Sequence, residues 1–94
     1  MTDTPLAPQI SEFIFALEDI EGFLREYGAL FWAGKINRVR DIANKSDGYS
    51  IELFFSYYGG MGSLNDLVLN APNSVNDNLH EKLHRAYRLA ETLK

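Results

Sequence analysis

An all-α fold is what the sequence predicts: a compact bundle of three long helices plus a short fourth element, with a Gly-rich loop. Two observations predict it. Three segments repeat apolar residues at steps of three and four, the period that lays one stripe along a helix. No internal repeat and no low-complexity tract interrupts them, so one chain of 94 residues builds one core.

The first stripe is Ile10, Phe13, Leu17, Ile20, Leu24 and Tyr27, with Ile14 beside it. Its helix is expected to start near Pro8, because proline is tolerated at a first helical position, and to end at Gly28. Positions 1–8 before it, with two prolines and little apolar content, read as a flexible arm, leaving 9–94 as a single helical domain. Trp32, Ile36, Val39 and Ala43 form the second stripe, on a helix expected over Leu30 to Asn44 and weakened at Gly34. Asn44-Lys45-Ser46-Asp47-Gly48 then supplies turn-forming residues.

The segment Ser50 to Tyr58 is apolar almost all round, which does not separate a buried helix from a buried strand, and its helical neighbours favour helix. Leu64 to Leu69 reads either as a helical turn capped by Ser63 with Asp66 or as a brief extended piece. After the loop Asn70 to Ser74, Leu79, Leu83, Ala86, Ala90 and Leu93 mark a last helix from about Val75 to Leu93.

Composition excludes several functions. Forty-six per cent hydrophobic and 23% charged residues are globular values. A net charge of −4 argues against nucleic acid as the ligand, since that affinity comes from clustered Lys and Arg. Zero cysteines remove disulfides, thiolate metal sites and thiol nucleophiles. Neither a secretory signal nor an apolar run of bilayer length is visible, so a cytoplasmic location is expected.

Among motifs, His80-Glu81-Lys82-Leu83-His84 matches H-E-x-x-H, in which two His one turn apart bind zinc and the Glu is a general base. The extended pattern would place Gly at Tyr87 and His at Ala90, and both are absent. Glu91 lies two turns beyond His84, about 10 Å along the axis, too far to close the site. His84 is expected to face solvent and His80 the border of the apolar stripe, so no metal and no cofactor is expected. No nucleophile elbow surrounds any Ser. Gly59, Gly60 and Gly62 could make a nest of N–H groups for an anion, but the phosphate-binding lysine and spacing are missing. Their expected role is a positive φ in a tight turn, with Asn65 and Asp66 bonding the loop's own backbone. Trp32, Phe54, Phe55 and Tyr57 are expected in the core. Lys35, Arg38, Arg40 and Lys45 make the second helix locally basic, but Asp41 interrupts the patch, and docking against the acidic first helix is its expected use.

Trp32-Ala33 and the run from Tyr58 through Gly59-Gly60-Met61-Gly62-Ser63-Leu64-Asn65-Asp66-Leu67 to Leu69 resemble a family of short, uncharacterised bacterial proteins with a Gly-Gly-Met-Gly-Ser-x-Asn-Asp-Leu segment. The resemblance implies no catalytic residue and no cofactor. In size and acidity the chain is also similar to immunity proteins that bind and block one cognate bacterial toxin.

The expected function is therefore a non-enzymatic protein-binding domain, with a basic toxin as the expected partner. The candidate contact surface is the outer face of the first helix. There 100° steps put Glu12, Asp19 and Glu26 opposite the core, with Phe15 and Phe23 flanking the acidic row. Aromatic anchors ringed by carboxylates suit a basic partner. The alternatives are a small metal-dependent hydrolase using His80, Glu81 and His84, and a homodimer subunit that buries Phe15 and Phe23.

Overall fold

The structure, a computed structural model, describes residues 8–45, 48–58 and 63–93. In chain order these form helix α1 (Pro8–Glu26), helix α2 (Leu30–Asn44), the short helix α3 (Tyr49–Ser56), a single 3-10 turn (Leu64–Asp66) and helix α4 (Asn73–Leu93). No strand occurs among the described residues. The all-α bundle of three long helices and one short one is thus the fold. The expectations placed on positions 1–7, on Gly59, Gly60, Met61 and Gly62, and on the Asn65 side chain lie outside the described residues.

Helix α1 starts on Pro8, where the ring's missing N–H costs no helical bond. It stops at Glu26, two residues before the expected Gly28, and the glycine supplies the stop. Gly28 has φ +79°, its N–H donates to the Arg25 carbonyl (3.2 Å), and the Ala29 N–H donates to the Leu24 carbonyl (2.8 Å). That pair of bonds is a Schellman cap, closed by the customary apolar contact between the residue after the glycine and the helix's last inward position. Here these are Ala29, packed on the core, and Leu24, fully buried. The turn sends α2 back beside α1 with no longer loop.

Helix α1 is the centre of the bundle, packing most extensively against α2 and next against α4, while α3 packs on α2 and more lightly on α4. Its inward stripe Phe13, Leu17, Ile20 and Leu24 is fully buried. Ala33, Ile36, Val39 and Ala43 meet it from α2, and Leu79, Leu83, Ala86 and Ala90 from α4. On α2 Ile36, Val39 and Ala43 are fully buried as expected, and Ala33 rather than Trp32 completes the stripe at the α1–α2 seam, the indole being half-buried against the core. On the solvent side of that seam Arg40 of α2 meets Glu21 at 3.1 Å and Glu18 at 3.4 Å on α1. Of the basic residues expected to dock on the acidic first helix, Arg40 does so, through partly exposed pairs worth about 0–1 kcal/mol each.

The ambiguous segment is helical. Helix α3 is apolar all round because two helices cover different sides of it. Phe54 is fully buried edge-on to Phe13 of α1 (centroids 5.4 Å apart), and it touches Tyr58 (5.2 Å). Tyr87 of α4 in turn packs edge-on against Tyr58 (4.9 Å) and Phe55 (5.0 Å). This run of rings ties an eight-residue helix, too short to persist alone, to both long neighbours. Phe54 and Tyr57 are core as expected, and Phe55 is half-buried at its edge.

The next segment combines the two alternatives offered for it: Leu64–Asp66 is a 3-10 turn and Leu67 is already extended. What fixes the extended part is Asn76, a buried polar residue on the apolar stripe of α4. Its Oδ1 accepts from the Leu69 N–H (2.6 Å), and its Nδ2 donates to the Leu69 carbonyl (3.1 Å) and the Ala71 carbonyl (3.3 Å). One turn later His80 Nε2 donates to the Leu67 carbonyl (3.2 Å). Helix α4 itself begins at Asn73, two residues before expectation, directly after Pro72.

Candidate functional site between α1 and α4

Because α4 packs along one flank of α1, the flanking residues of the two helices form the walls of a groove of about 530 Å³. Phe15, Ala16 and Asp19 line it from α1, and Asn78, Glu81, Lys82, His84 and Arg85 from α4. Asn78, Glu81 or Lys82, and Arg85 recur at the three- and four-residue steps that put them on one face, beside but not on the buried stripe.

The five residues proposed from sequence fare differently here. Glu12 and Glu26 are exposed. Phe15 is 66% exposed at the groove's rim, a large ring that the fold leaves uncovered. Asp19 lies in the groove, where its Oδ2 accepts from Lys82 Nζ at 2.8 Å. Phe23 does not face solvent as expected. It is packed partly buried against the core, its ring tilted against Tyr27 (5.0 Å), with Lys82 Nζ 5.4 Å above its ring. Eight positions apart at 100° per residue, Phe15 and Phe23 differ by about 80° around the helix. That is enough for α4 to cover one and miss the other. The acidic row is also not continuous in its surroundings, since Lys82 and Arg85 set cations against it.

The H-E-x-x-H segment falls on the same α4 flank, yet its residues diverge. His80 is committed to the Leu67 carbonyl, while Glu81 and His84 line the groove. Among the described residues no three His, Asp or Glu side chains converge on one point as metal ligands would. Ser63 and Asp66, the described members of the loop motif, belong to the 3-10 turn, where the Asp66 N–H donates to the Ser63 carbonyl (3.0 Å).

A second exposed feature, absent from the sequence reading, lies on α2 and α3. Phe31 is 70% exposed and stands edge-on to Trp32 (5.6 Å), which stands edge-on to Tyr57 (5.8 Å). Lys35 Nζ lies over all three rings, 5.0 Å from Phe31, 5.8 Å from Trp32 and 5.0 Å from Tyr57. The Tyr57 hydroxyl donates to the Lys35 carbonyl (3.3 Å). Burial pushes the Tyr57 phenol above its ordinary pKa, the Arg38 charge pulls it down, and Tyr49 adds to the rise. The spacing Phe31, Lys35, Arg38 is the signal that could have revealed this face, since one turn and then two carry the same side of a helix.

These observations define an all-α bundle with two exposed aromatic surfaces and a mixed-charge groove. The chain belongs to the family described as a domain of unknown function, DUF6966, whose model matches residues 25–77. That span runs from the end of α1 through α2, α3 and the 3-10 turn to the first turn of α4, more than half of the chain. No curated protein and no solved structure gives a significant match. Among the described residues no helix is long and apolar enough to cross a membrane.

Proposed function

We propose that the chain is a non-enzymatic protein-binding domain that takes its partner in the α1–α4 groove, and that this partner is a bacterial toxin which the domain neutralises. The observation that carries the binding reading is Phe15, a 66% exposed ring beside a groove of about 530 Å³. An aromatic side chain held on a rigid helix at the rim of a concavity is the usual form of an interface anchor, because it loses little conformational entropy on burial. Around it, the Asp19–Lys82 pair and the Glu81 and Arg85 side chains offer both signs of charge, which fixes register more than it adds affinity. Exposed Glu12 and Glu26 leave the α1 side acidic, and with the net charge of −4 they support a basic partner. The toxin part of the proposal rests on the resemblance in size and acidity to immunity proteins.

The test pairs a growth assay with calorimetry. Cells expressing a toxin encoded beside this chain's gene are expected to survive only when the chain is co-expressed. Phe15→Ala should weaken the toxin complex at least about tenfold, roughly 1.4 kcal/mol. Joint reversal of Glu12 and Glu26 to Lys should slow association and reduce its salt dependence. Unchanged affinity in both variants removes the groove from the reading, and a lack of protection removes the toxin. A concentration-dependent mass abolished by Phe15→Ala would assign the groove to a second copy of the chain.

A further inference from the structure

We infer that the face built by Phe31, Trp32, Lys35 and Arg38 of α2 with Tyr57 is a second docking surface, whose occupant is an acidic protein segment carrying a carboxylate beside an apolar side chain. The inference is independent of the groove and has the opposite charge preference. Phe31 is 70% exposed, so apolar ring surface is offered on α2. Against it sits Lys35, held over the Phe31, Trp32 and Tyr57 rings by their quadrupoles.

Charge complementarity names the occupant. Among the described residues the ion pairs engage Arg25, Arg40 and Lys82, and neither Lys35 nor Arg38 has a carboxylate partner. In a chain with 13 acidic and 9 basic residues, Asp41 follows Arg38 by one turn, so the local positive spot against the overall sign is centred on Lys35 at the rings. Ring contacts orient the Lys35 ammonium without using its N–H donors as a carboxylate would. An incoming carboxylate therefore gains charge-assisted hydrogen bonds at a position already fixed, and its apolar neighbour covers Phe31. Phosphates of a single-stranded nucleic acid are the competing occupant for rings and cations, but the net charge of −4 repels a polyanion, while a short acidic segment meets only the local spot. The whole face also lies within residues 25–77, the part of the chain matched by its family, whereas Phe15, Asp19, Lys82 and Arg85 lie outside it.

The chain's single tryptophan, Trp32, is part of this face and reports its occupancy by fluorescence. Phage-displayed short random peptides are selected on the full chain and counter-selected on Phe31→Ala, which removes an exposed ring and should leave the helical circular dichroism unchanged. The expected winners carry Asp or Glu next to an aromatic or aliphatic residue and change Trp32 emission on titration. They should bind at least about tenfold more weakly to Lys35→Gln and to Phe31→Ala, and more weakly as salt rises. No enrichment, enrichment of basic peptides, or winners indifferent to both variants would overturn the proposal. So would tighter binding of a single-stranded oligonucleotide than of any selected peptide, or a concentration-dependent increase in mass that Phe31→Ala abolishes.

Discussion

Replacing Asn76 by Ala tests the least expected contact in the fold. The amide bridges α4 to an extended segment that has no strand partner: it accepts from the Leu69 N–H, donates to the Ala71 carbonyl, and donates to the Leu69 carbonyl, which also accepts from the Ala71 N–H (2.9 Å). Leu69 and Asn76 are both buried, so water cannot take over these bonds without entering the bundle. Leaving a buried backbone group unpaired costs about 1–3 kcal/mol. Ala71 is only half-buried and recovers some of its loss from solvent. The Leu69 carbonyl keeps its Ala71 partner, so the Leu69 N–H carries the main cost and the expected total is ~1–3 kcal/mol, set against the ~5–15 kcal/mol that holds a domain of this size. At ~4–8 °C per kcal/mol, the midpoint of thermal unfolding should fall by ~4–24 °C, read by the helical circular dichroism signal. Native-state hydrogen exchange should show the Leu69 amide losing protection by more than amides of the α1–α2 seam. A stability loss under about 0.5 kcal/mol with an unchanged Leu69 amide would refute the reasoning, because the bridge would then carry no net free energy.

Two glycines give opposite expectations. Gly28→Ala places a β-carbon at φ +79° and should destabilise by about 1–2 kcal/mol, whereas Gly34→Ala, mid-helix with nothing within 4 Å of the new carbon, should stabilise by about 0.5–1 kcal/mol. Denaturant titration of both variants checks the signs. Burial, with a smaller contribution from Tyr87, raises the Tyr58 phenol well above its usual range. The native state therefore keeps a proton that the unfolded chain releases near pH ~10, and stability present below that pH is lost above it. Tyr58→Phe should flatten that alkaline loss. It should also cost nothing at neutral pH, or stabilise by up to ~1 kcal/mol, since the hydroxyl has no hydrogen-bond partner among the described residues. Urea melts at neutral and alkaline pH measure both effects. Elemental analysis of the purified chain is expected to give far less than one zinc per chain; a full equivalent lost in His84→Ala would instead support the hydrolase alternative.

The local periodicity determined the helices. Leu30 to Asn44 was legible to the residue, and the stripes of α1 and α4 named nearly all the side chains that meet in the core, because spacing along one helix is a local property. The end of α1 was legible through Gly28, though the cap geometry moved the boundary to Glu26. The exposed anchor Phe15 and the solvent-facing Glu12 and Glu26 were also visible on a helical wheel. What the wheel does not contain is the angle at which a distant helix crosses. Lys82 lies 63 residues from Asp19, and only the docking of α4 decides that it neutralises Asp19, covers Phe23 and leaves Phe15 bare. The same holds for Asn76, an asparagine on an apolar stripe that makes sense only once Leu69 is placed beside it. It holds too for Lys35, whose rings come from two helices brought together by packing. Sequence spacing fixes which residues share a face; tertiary packing decides which faces remain for a partner, because burial depends on neighbours that periodicity cannot see.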